Sequence, residues 1–260
     1  MGETLYTTTA QSQKPEQVNL ARHFAELLHG CYVERGNRSI ETLLHELGTD
    51  MLLVCGERVT LYRDKQEFFF HPSMAVVRIK RLLSGDHDVL IEQSGVQPGD
   101  TVVDCTLGLG ADAIVFSHAV GKTGRVIGVE ANPILAALVR YGMQTEVTTI
   151  PEVDAAMRRI HVHQGDHWAF LQSLPDRSVD IVYFDPMFRK TVQDSASIAP
   201  LRVIAERAPL RMEAIEEAKR VARKAVVLKE RRKSGEFQRL GFPPPERRSG
   251  SVTYAKIELT

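Results

Sequence analysis

Residues 101–120 read TVVDCTLGLGADAIVFSHAV, two apolar runs joined by a loop that contains two glycines. The first run predicts a buried β-strand, because it is short and rich in branched apolar residues, and ADAIVFSHAV predicts a helix. A strand that leads through a glycine loop into a helix is the first half of a βαβ unit. This stretch therefore predicts the start of a parallel α/β sheet.

The same alternation continues along the chain. Strands are predicted at RVIGVEAN, IHVHQGD, VDIVYFD, AVVLKE and VTYAKIEL, and helices at NPILAALVRYGMQT, DHWAFLQSL and PLRMEAIEEAKRVA. Apolar strands that alternate with helices favour a sheet covered by helices on both faces. The predicted fold class is α/β, with a doubly wound, mostly parallel, Rossmann-like sheet.

The residues before this pattern predict a small separate domain. PEQVNLARHFAELLH and SIETLLHEL have helical periodicity, MLLVCGERVTLY reads as a hairpin, and FFFHPSMAVVRIKRLLSG reads as a bridge that contains a helix. We expect a small N-terminal α/β domain over residues 1–70 and the main domain over residues 71–260.

The composition argues against several classes of protein. No stretch approaches the ~18 apolar residues of a membrane span, and the N-terminus lacks a signal-peptide pattern. The three cysteines form no CxxC pair, so neither a disulfide framework nor a cysteine zinc site is indicated. We expect a cytoplasmic protein with no membrane partner.

The net charge is zero but unevenly distributed. Residues 202–248 contain 14 Lys and Arg against 7 Glu, a net charge of +7, so the rest of the chain carries −7. A basic stretch of this kind could contact an anionic polymer. A solvated helix face with a charged loop would have the same composition, and the sequence leaves both interpretations open.

Candidate ligand residues follow the predicted strands, because ligands of open α/β sheets bind beyond the carboxyl ends of the strands. After the first strand, Gly108 and Gly110 would let a ligand approach the backbone closely, although a tight turn alone would also need glycines. Asp104 would lie awkwardly beside a pyrophosphate. It suits a cationic ligand, such as one with a sulfonium and an amino group.

The next two strands also end in acids. Glu130 could accept the hydroxyl groups of a ribose, or it could only favour the N-terminus of the following helix. Asp166 could bind an adenine amino group, or it could only cap the next helix. His161 and His163 are expected to be partly exposed strand residues, since a metal site would need further ligands in register. No metal is expected.

The fourth strand ends in Asp185-Pro186-Met187-Phe188. A carboxylate at the end of a buried strand is costly unless it faces a polar cleft, and Pro186 fixes the turn and leaves carbonyl acceptors free. Asp185 and a neighbouring carbonyl could accept both hydrogens of an exocyclic amine, while Phe188 stacks on the base. The turn predicts a site that orients an aromatic amine towards an electrophile.

DCTLGLGADA, VEANPILAALV and YFDPMF together resemble class I S-adenosylmethionine (SAM)-dependent methyltransferases. Among these, the chain resembles the small-subunit (16S) rRNA guanine-N2 methyltransferase family over roughly residues 72–230. That family carries D-x-T-x-G-L-G-x-D-A, an E-x-N-P turn and D-P-M-F. The chain departs from the family at Ala111 and Ala131, where Arg is usual, and at Arg189, where Pro is common.

The resemblance implies SAM as the cofactor and RNA, especially small-subunit rRNA, as the partner. With the strand-end residues, it implies a cofactor pocket formed by Asp104, Gly108, Gly110, Ala111, Asp112, Glu130, Ala131, Gly165, Asp166 and Asp185. The expected catalytic residues are Asp185, Pro186 and Phe188. The candidates for substrate contact are Met187, Phe188, Arg189, His71 and Arg231.

The leading hypothesis is a methyltransferase that modifies an exocyclic nitrogen of a nucleobase, with guanine N2 of rRNA as the expected target. The alternatives are a methyltransferase for a small-molecule amine and a noncatalytic RNA-binding or assembly protein that retains the cofactor pocket. Two basic groups are candidates for phosphate contacts. They are Arg78, Lys80 and Arg81 on the bridge helix, and Lys229, Arg231, Arg232 and Lys233, which are expected to follow the fifth strand.

Overall fold

The computed structural model describes residues 4–186, 209–245 and 251–259, which divide into two compact units. The first unit extends to His71 and the second begins at Pro72. Each unit is built around one β-sheet. Within the described ranges, no helix has the length and apolar character needed to cross a lipid bilayer.

The first unit contains a mixed sheet with two helices among its described residues. Its elements are β1 (Tyr6–Thr9), α1 (Pro15–Leu27), β2 (Cys31–Tyr32), α2 (Ile40–Leu47), β3 (Met51–Cys55), β4 (Val59–Arg63) and β5 (Gln66–Phe69). The strand order is β2-β1-β3-β4-β5, in which β1 is parallel to both neighbours and the β3–β4 and β4–β5 pairs are antiparallel.

Local sequence signals account for the helix ends of this unit. Pro15 occupies the first turn of α1, and the Ser39 hydroxyl accepts a hydrogen bond from Thr42 N at 3.0 Å at the start of α2. Gly48 ends α2 with a φ of 61°, a left-handed conformation that favours glycine. The predicted hairpin is confirmed as β3–β4. The prediction that FFF belongs to a bridge was wrong, because Phe68 and Phe69 lie in β5.

The second unit alternates strands and helices, with α3 and α4 before its first strand. Its described elements are α3 (Ser73–Leu83), α4 (Val89–Ser94), β6 (Thr101–Asp104), α5 (Ala111–Val120), β7 (Arg125–Glu130), α6 (Pro133–Thr145), α7 (Pro151–Arg158), β8 (Ile160–Gln164), α8 (His167–Ser173), β9 (Val179–Phe184), α9 (Met212–Val221), β10 (Ala222–Arg231), α10 (Glu236–Arg239) and β11 (Val252–Glu258).

The strand order of this second sheet is β11-β10-β9-β6-β7-β8. Every adjacent pair is parallel except β10–β11, so the predicted doubly wound, mostly parallel α/β fold is confirmed. The chain runs outward from β6 through β7 and β8, and then returns to place β9 on the other side of β6. The carboxyl ends of β6 and β9 therefore flank the point where the strand order reverses, which is where ligands of such sheets bind.

Helices cover both faces of this sheet, as side chains of the central strand β9 illustrate. Val182 and Phe184 belong to a buried cluster with Leu171 of α8 and Ile215 of α9. Tyr183 points to the opposite face, where its ring makes an edge contact with Phe116 of α5 at a centroid distance of 5.2 Å. All six residues of β9 are buried. A strand covered on both faces explains the continuous apolar run in the sequence.

Gly128 in β7 lets the glycine loop pack directly on the sheet. A Cβ atom at Gly128 would lie 2.4 Å from Cδ1 and 2.9 Å from Cδ2 of Leu107, which is buried. The backbone of Leu107 is also fixed, since its N donates to Val129 O at 3.0 Å. The Leu107 side chain thus occupies the space above Gly128 and anchors the loop that follows β6.

We expect Gly128→Ala to lower the free energy of unfolding by about 1–3 kcal/mol, because the added methyl group overlaps Leu107. Leu107→Ala alone should cost about 2–5 kcal/mol through the cavity that it leaves. Urea unfolding of the double variant should give a loss smaller than the sum of the two single losses, since the overlap is then absent. Strictly additive losses would contradict this packing.

Candidate functional site

Hydrogen bonds join the carboxyl ends of β6 and β9. Asp185 N donates to Thr106 Oγ1 at 2.6 Å, and Thr106 N donates to Asp104 Oδ1 at 3.0 Å. Cys105 N extends the pairing by donating to Tyr183 O at 2.9 Å. Asp104 and Asp185 are thereby brought to the same edge of the sheet, at the point where the strand order reverses.

The two glycines of the loop after β6 have different surroundings. Both have left-handed backbone conformations, with φ angles of 51° for Gly108 and 76° for Gly110. A Cβ atom at Gly110 would lie 2.2 Å from Cε of Met143, so this glycine is packed against α6. A Cβ atom at Gly108 would meet only Thr106 O, at 3.9 Å, within the described chain. Gly108 therefore leaves space beside the sheet edge.

Glu130, at the end of β7, is tied to this loop. Its Oε2 accepts a hydrogen bond from Gly108 N at 3.1 Å, and its Oε1 accepts one from Asn132 N at 2.9 Å. Asn132 in turn caps α6, as its Oδ1 accepts bonds from Ile134 N and Leu135 N. The buried carboxylate of Glu130 thus lies beside both Gly108 and the N-terminus of α6.

Charged side chains meet at the ends of β6, β9 and β10. Lys229 Nζ lies 2.8 Å from Asp112 Oδ2 and 2.6 Å from Asp185 Oδ2. Asp112 also accepts a hydrogen bond from the Tyr183 hydroxyl at 2.7 Å, and it forms an ion pair with Arg78 of α3. Arg78 also forms a bidentate ion pair with Asp88, in which its Nε and Nη2 donate to the two carboxylate oxygens at 2.7 and 2.8 Å. We call this set the carboxylate cluster; it comprises Asp88, Asp104, Asp112, Asp185, Arg78 and Lys229.

Burial and neighbouring charges move the pKa values of these groups in different directions. Burial raises the pKa of Asp104 to about 8, and the nearby Asp112 and Asp185 add to the increase. Burial also raises the pKa of Asp185 to about 6, although Lys229 opposes this. For Asp112, burial is outweighed by Lys229 and Arg78, which lower its pKa below the usual range. At neutral pH we therefore expect Asp104 to be mostly protonated and Asp185 mostly ionised.

The cluster contains more carboxylates than cations. With Asp104 mostly protonated, the other three aspartates face two cations in the described part of the chain, and Arg78 divides its charge between Asp88 and Asp112. A cationic ligand would compensate the remaining negative charge, whereas the same cluster would repel a pyrophosphate. The excess of carboxylates over cations therefore suits a positively charged ligand, whereas the role of Asp104 beside such a ligand stays a prediction.

The other predicted cofactor residues lie at the edges of this region. Ala111 is the first residue of α5, and Ala131 directly follows β7. Gly165 is held next to β7, since its N donates to Glu130 O at 2.9 Å. Asp166 is exposed and caps α8 by accepting a hydrogen bond from Ala169 N at 2.9 Å. Of the two roles predicted for Asp166, adenine binding and helix capping, the structure shows the second.

The predicted catalytic and substrate residues are only partly described. Pro186 follows Asp185 and is partly exposed. Met187, Phe188 and Arg189 lie outside the described residues. His71 is exposed and belongs to the first unit, and Arg231 is the last residue of β10.

Several basic residues have roles other than those predicted. Lys229 lies within β10, so the prediction that it follows the strand was wrong, and its ammonium pairs with the site carboxylates. Arg231 also lies within the strand. Arg78 and Arg81 are engaged as well, the latter with Asp86 at 2.6 Å. The exposed residues of the two basic groups are Lys80, Arg81, Arg232 and Lys233, and among these Arg81 pairs with Asp86.

Lys229 is thus a site residue that the sequence analysis did not recognise. It ends the apolar run AVVLK, and a lysine in a buried strand is costly unless a carboxylate neutralises it. The same reasoning had identified Asp185. Applied to Lys229, it indicates that the lysine needs a carboxylate partner, but the identity of that partner depends on β9 and β10 being adjacent and parallel in the structure.

The strand histidines have ordinary packing roles. His163 lies against Phe170, with ring centroids 4.5 Å apart, and His161 is exposed. Within the ranges that the structure describes, no group of three or more His, Cys, Asp or Glu side chains could hold a metal ion.

Comparisons with known proteins indicate one class of enzyme. A family model described as "Putative SAM-dependent methyltransferase" matches residues 53–239. The chain is 44% identical to the uncharacterized protein YpiP of Bacillus subtilis over 254 residues, which cover 97% of this chain and 99% of YpiP. It is 34% identical over 112 residues to ribosomal RNA small subunit methyltransferase J of Dechloromonas aromatica, which cover 42% of this chain and 44% of that protein.

A solved structure has a similar fold over nearly the whole chain. The SAM-dependent methyltransferase NGO1261 from Neisseria gonorrhoeae matches with a TM-score of 0.60 at 20% sequence identity. The match covers 97% of this chain and 95% of that one. At 20% sequence identity this similarity shows a shared fold and nothing further.

We expect Asp112→Ala to lower the free energy of unfolding by about 3–5 kcal/mol at pH 7, because Arg78 and Lys229, both largely buried, lose the carboxylate that they share. Since folding lowers the pKa of Asp112, its contribution is present above the ordinary carboxyl pKa and declines as the pH falls below it. The difference from wild type, measured by urea unfolding, should therefore shrink below pH ~4.

Asp86→Ala is the matched control, since Asp86 pairs with Arg81 at the surface. It should leave the stability almost unchanged. An equal effect of the two substitutions would show that the cluster does not depend on Asp112.

Proposed function

Because the chain belongs to the family of SAM-dependent methyltransferases, we propose that it transfers a methyl group from SAM to an exocyclic amine of a nucleobase. The target that we favour is guanine N2 in small-subunit rRNA. One observation carries this proposal: the backbone N of Asp185, directly after β9, donates to Thr106 Oγ1, and Thr106 N donates to Asp104, so the Asp185 carboxylate lies next to Asp104 and the glycine loop. A residue suited to binding an amine thus adjoins a region suited to binding a cation.

The residues at the sheet edge fit SAM. Once bound, this cofactor supplies an electrophilic methyl group on a positively charged sulfur. The excess of carboxylates in the cluster suits that charge, and Gly108 provides space beside it. Glu130 would accept the ribose hydroxyls, and Gly165 with Asp166 would lie near the adenine.

Asp185 would hold the target amine. Its side chain is 26% exposed and mostly ionised at neutral pH, so it can accept an N–H of the amine while the nitrogen lone pair stays available. Because an aromatic amine is a poor nucleophile, this orientation contributes more than deprotonation. On methylation the amine nitrogen would lose one proton, which Asp185 would accept and pass to water, while the cofactor would leave as S-adenosylhomocysteine.

Three observations support RNA as the substrate. The relative from Dechloromonas aromatica is named as a ribosomal RNA methyltransferase. The exposed Arg232 and Lys233 follow β10, which is parallel to β9, so they lie at the same edge of the sheet as Asp185. Cations beside a base-binding turn would contact phosphates of the same strand. The sequence of that turn, Asp185 to Phe188, resembles the guanine-N2 methyltransferases.

A methyltransferase for a small-molecule amine is the second candidate. The observation that favours it is the neutralisation of Arg78 and Lys229 by largely buried aspartates, which removes two of the expected phosphate contacts. Such an enzyme would need the carboxylate of Asp185 but no basic surface around it.

The catalytic role is tested with purified protein, SAM labelled in its methyl group, and small ribosomal subunits from a strain that lacks the gene. We expect label in N2-methylguanosine after nucleoside digestion. Asp185→Ala should bind S-adenosylhomocysteine in calorimetry but transfer at least about 100-fold more slowly, because the amine is no longer oriented. Asp176→Ala, which removes a surface partner of Arg220, is the control and should keep full activity.

The outcomes separate the candidates. Absence of heat with SAM and S-adenosylhomocysteine would contradict the enzyme class. Label in another nucleoside would correct the base, and transfer to a small amine but not to RNA would favour the second candidate. Full activity of Asp185→Ala would contradict the proposed role of this turn.

RNA contact is tested by a double variant, Arg232→Ala/Lys233→Ala. It should weaken RNA binding, and the slope of log K against log salt concentration should become shallower by about 1.5, because two phosphate contacts are lost. Lys122→Ala/Arg125→Ala removes the same charge at the opposite edge of the sheet, where β7 begins, and is the control. Equal salt slopes for wild type and the first variant would contradict the contact.

A further inference from the structure

We propose that Lys229 is a positioning residue for the reaction. Its ammonium keeps Asp185 ionised and holds the Asp185 carboxylate beside the first turn of α5. This inference rests on the proposed function, since that function gives Asp185 the task of accepting an N–H from the target amine. It adds a residue of β10 to a site otherwise formed by strand-end loops.

The geometry places Lys229 between a fixed carboxylate and a less constrained one. Asp112 accepts contacts from Arg78, Tyr183 and Lys229, and it lies in the first turn of α5. The carboxylate of Asp185 is contacted by Lys229, at 2.6 Å from Oδ2. The ammonium of Lys229 therefore connects Asp185, which follows β9, to Asp112 in the first turn of α5.

Lys229 constrains Asp185 together with the backbone. Its Nζ contacts Oδ2 of Asp185, and the Asp185 N is held by Thr106 Oγ1 at 2.6 Å. Asp185 is thus held at its backbone N and at one carboxylate oxygen. This arrangement fixes the direction in which the carboxylate can accept an N–H from a bound amine.

The surroundings of Asp185 would favour its neutral form without Lys229. The titratable groups that face it are Asp104 from β6, Asp112 from α5, Tyr183 from β9, Lys229 and Glu230 from β10, and Tyr254 from β11. Among these described groups, Lys229 alone is cationic. Burial and the neighbouring Asp112 both raise the pKa of Asp185, and the charge of Lys229 keeps it near 6.

Loss of ionisation would remove the acceptor that the reaction needs. A protonated carboxyl group presents a donor on one oxygen, and it is also a weaker acceptor and a weaker base. Arg78 cannot substitute for Lys229, because its guanidinium is paired with Asp88 and Asp112. The ionisation of Asp185 at neutral pH thus depends on one ammonium group.

Lys229→Met tests this directly, because methionine keeps an unbranched chain but removes the charge. The pKa of Asp185 is measured by carbon-13 NMR of protein labelled at aspartate, with its signal assigned by its absence in Asp185→Asn. We expect the pKa to rise by at least one unit in Lys229→Met and to stay near the wild-type value in Lys229→Arg.

The transfer reaction provides the second measurement. At pH 7 Lys229→Met should be at least about 10-fold slower than wild type, and the rate should recover as the pH rises towards 9, where Asp185 ionises again. Lys224→Met is the matched control, since Lys224 lies on the same strand and pairs with Asp100 at the opposite edge. Its pH profile should follow that of wild type.

A purely structural role of Lys229 predicts a different result. It would slow transfer equally at every pH, and raising the pH would not restore the rate. Parallel pH profiles of Lys229→Met and wild type, or an unchanged Asp185 pKa, would overturn the inference.

The NMR measurement also separates this inference from the proposed function. It needs no substrate, so a failure to methylate RNA would leave its result intact. If Lys229→Met does not fold, the wild-type titration still decides the matter. A pKa of Asp185 above 7 in the wild type would show that Lys229 does not keep it ionised, and would overturn the inference.

Discussion

The ion pairs of Lys229 with Asp112 and Asp185 connect the parts of the second unit that form its ligand edge. Through them β10 is joined to the end of β9 and to the first turn of α5, and Arg78 extends the same set of contacts to α3. Ion pairs between largely buried groups depend on both partners, since an isolated charge in such a place is strongly unfavourable. The positions of the first turn of α5 and of Asp185 are therefore coupled by charge as well as by the sheet.

The carboxylate cluster contains more carboxylates than cations, and this excess suits a positively charged ligand. Burial raises the pKa of Asp104 to about 8, and the other three aspartates share two cations in the described part of the cluster. Groups whose pKa values are shifted in opposite directions within one cleft are typical of functional sites. A positively charged cofactor would compensate the negative charge of the cluster. The carboxylates that repel one another in the free protein would therefore stabilise the complex.

The sequence predicted elements with strong local signals and missed those without them. Strand β1 was not predicted, because its Thr7 and Thr8 look polar; both are buried and donate from their hydroxyls to the carbonyls of Ala21 and Val33. Strand β2 has two residues and α4 has six, too few for a periodic pattern. Helix α7 did carry a signal, Pro at its first position with acids in its first turn, that was not used.

By itself the sequence determined the α/β alternation, the doubly wound sheet and the strand ends at which Asp104, Gly108, Glu130 and Asp185 gather. Each of these follows from local chemistry: apolar runs form strands, glycines permit left-handed turns, and acids end strands at polar clefts. Only the tertiary structure decided the role of Lys229. Its partners are 117 and 44 residues away in the chain, and whether a lysine contacts solvent or a buried carboxylate depends on which strands become neighbours.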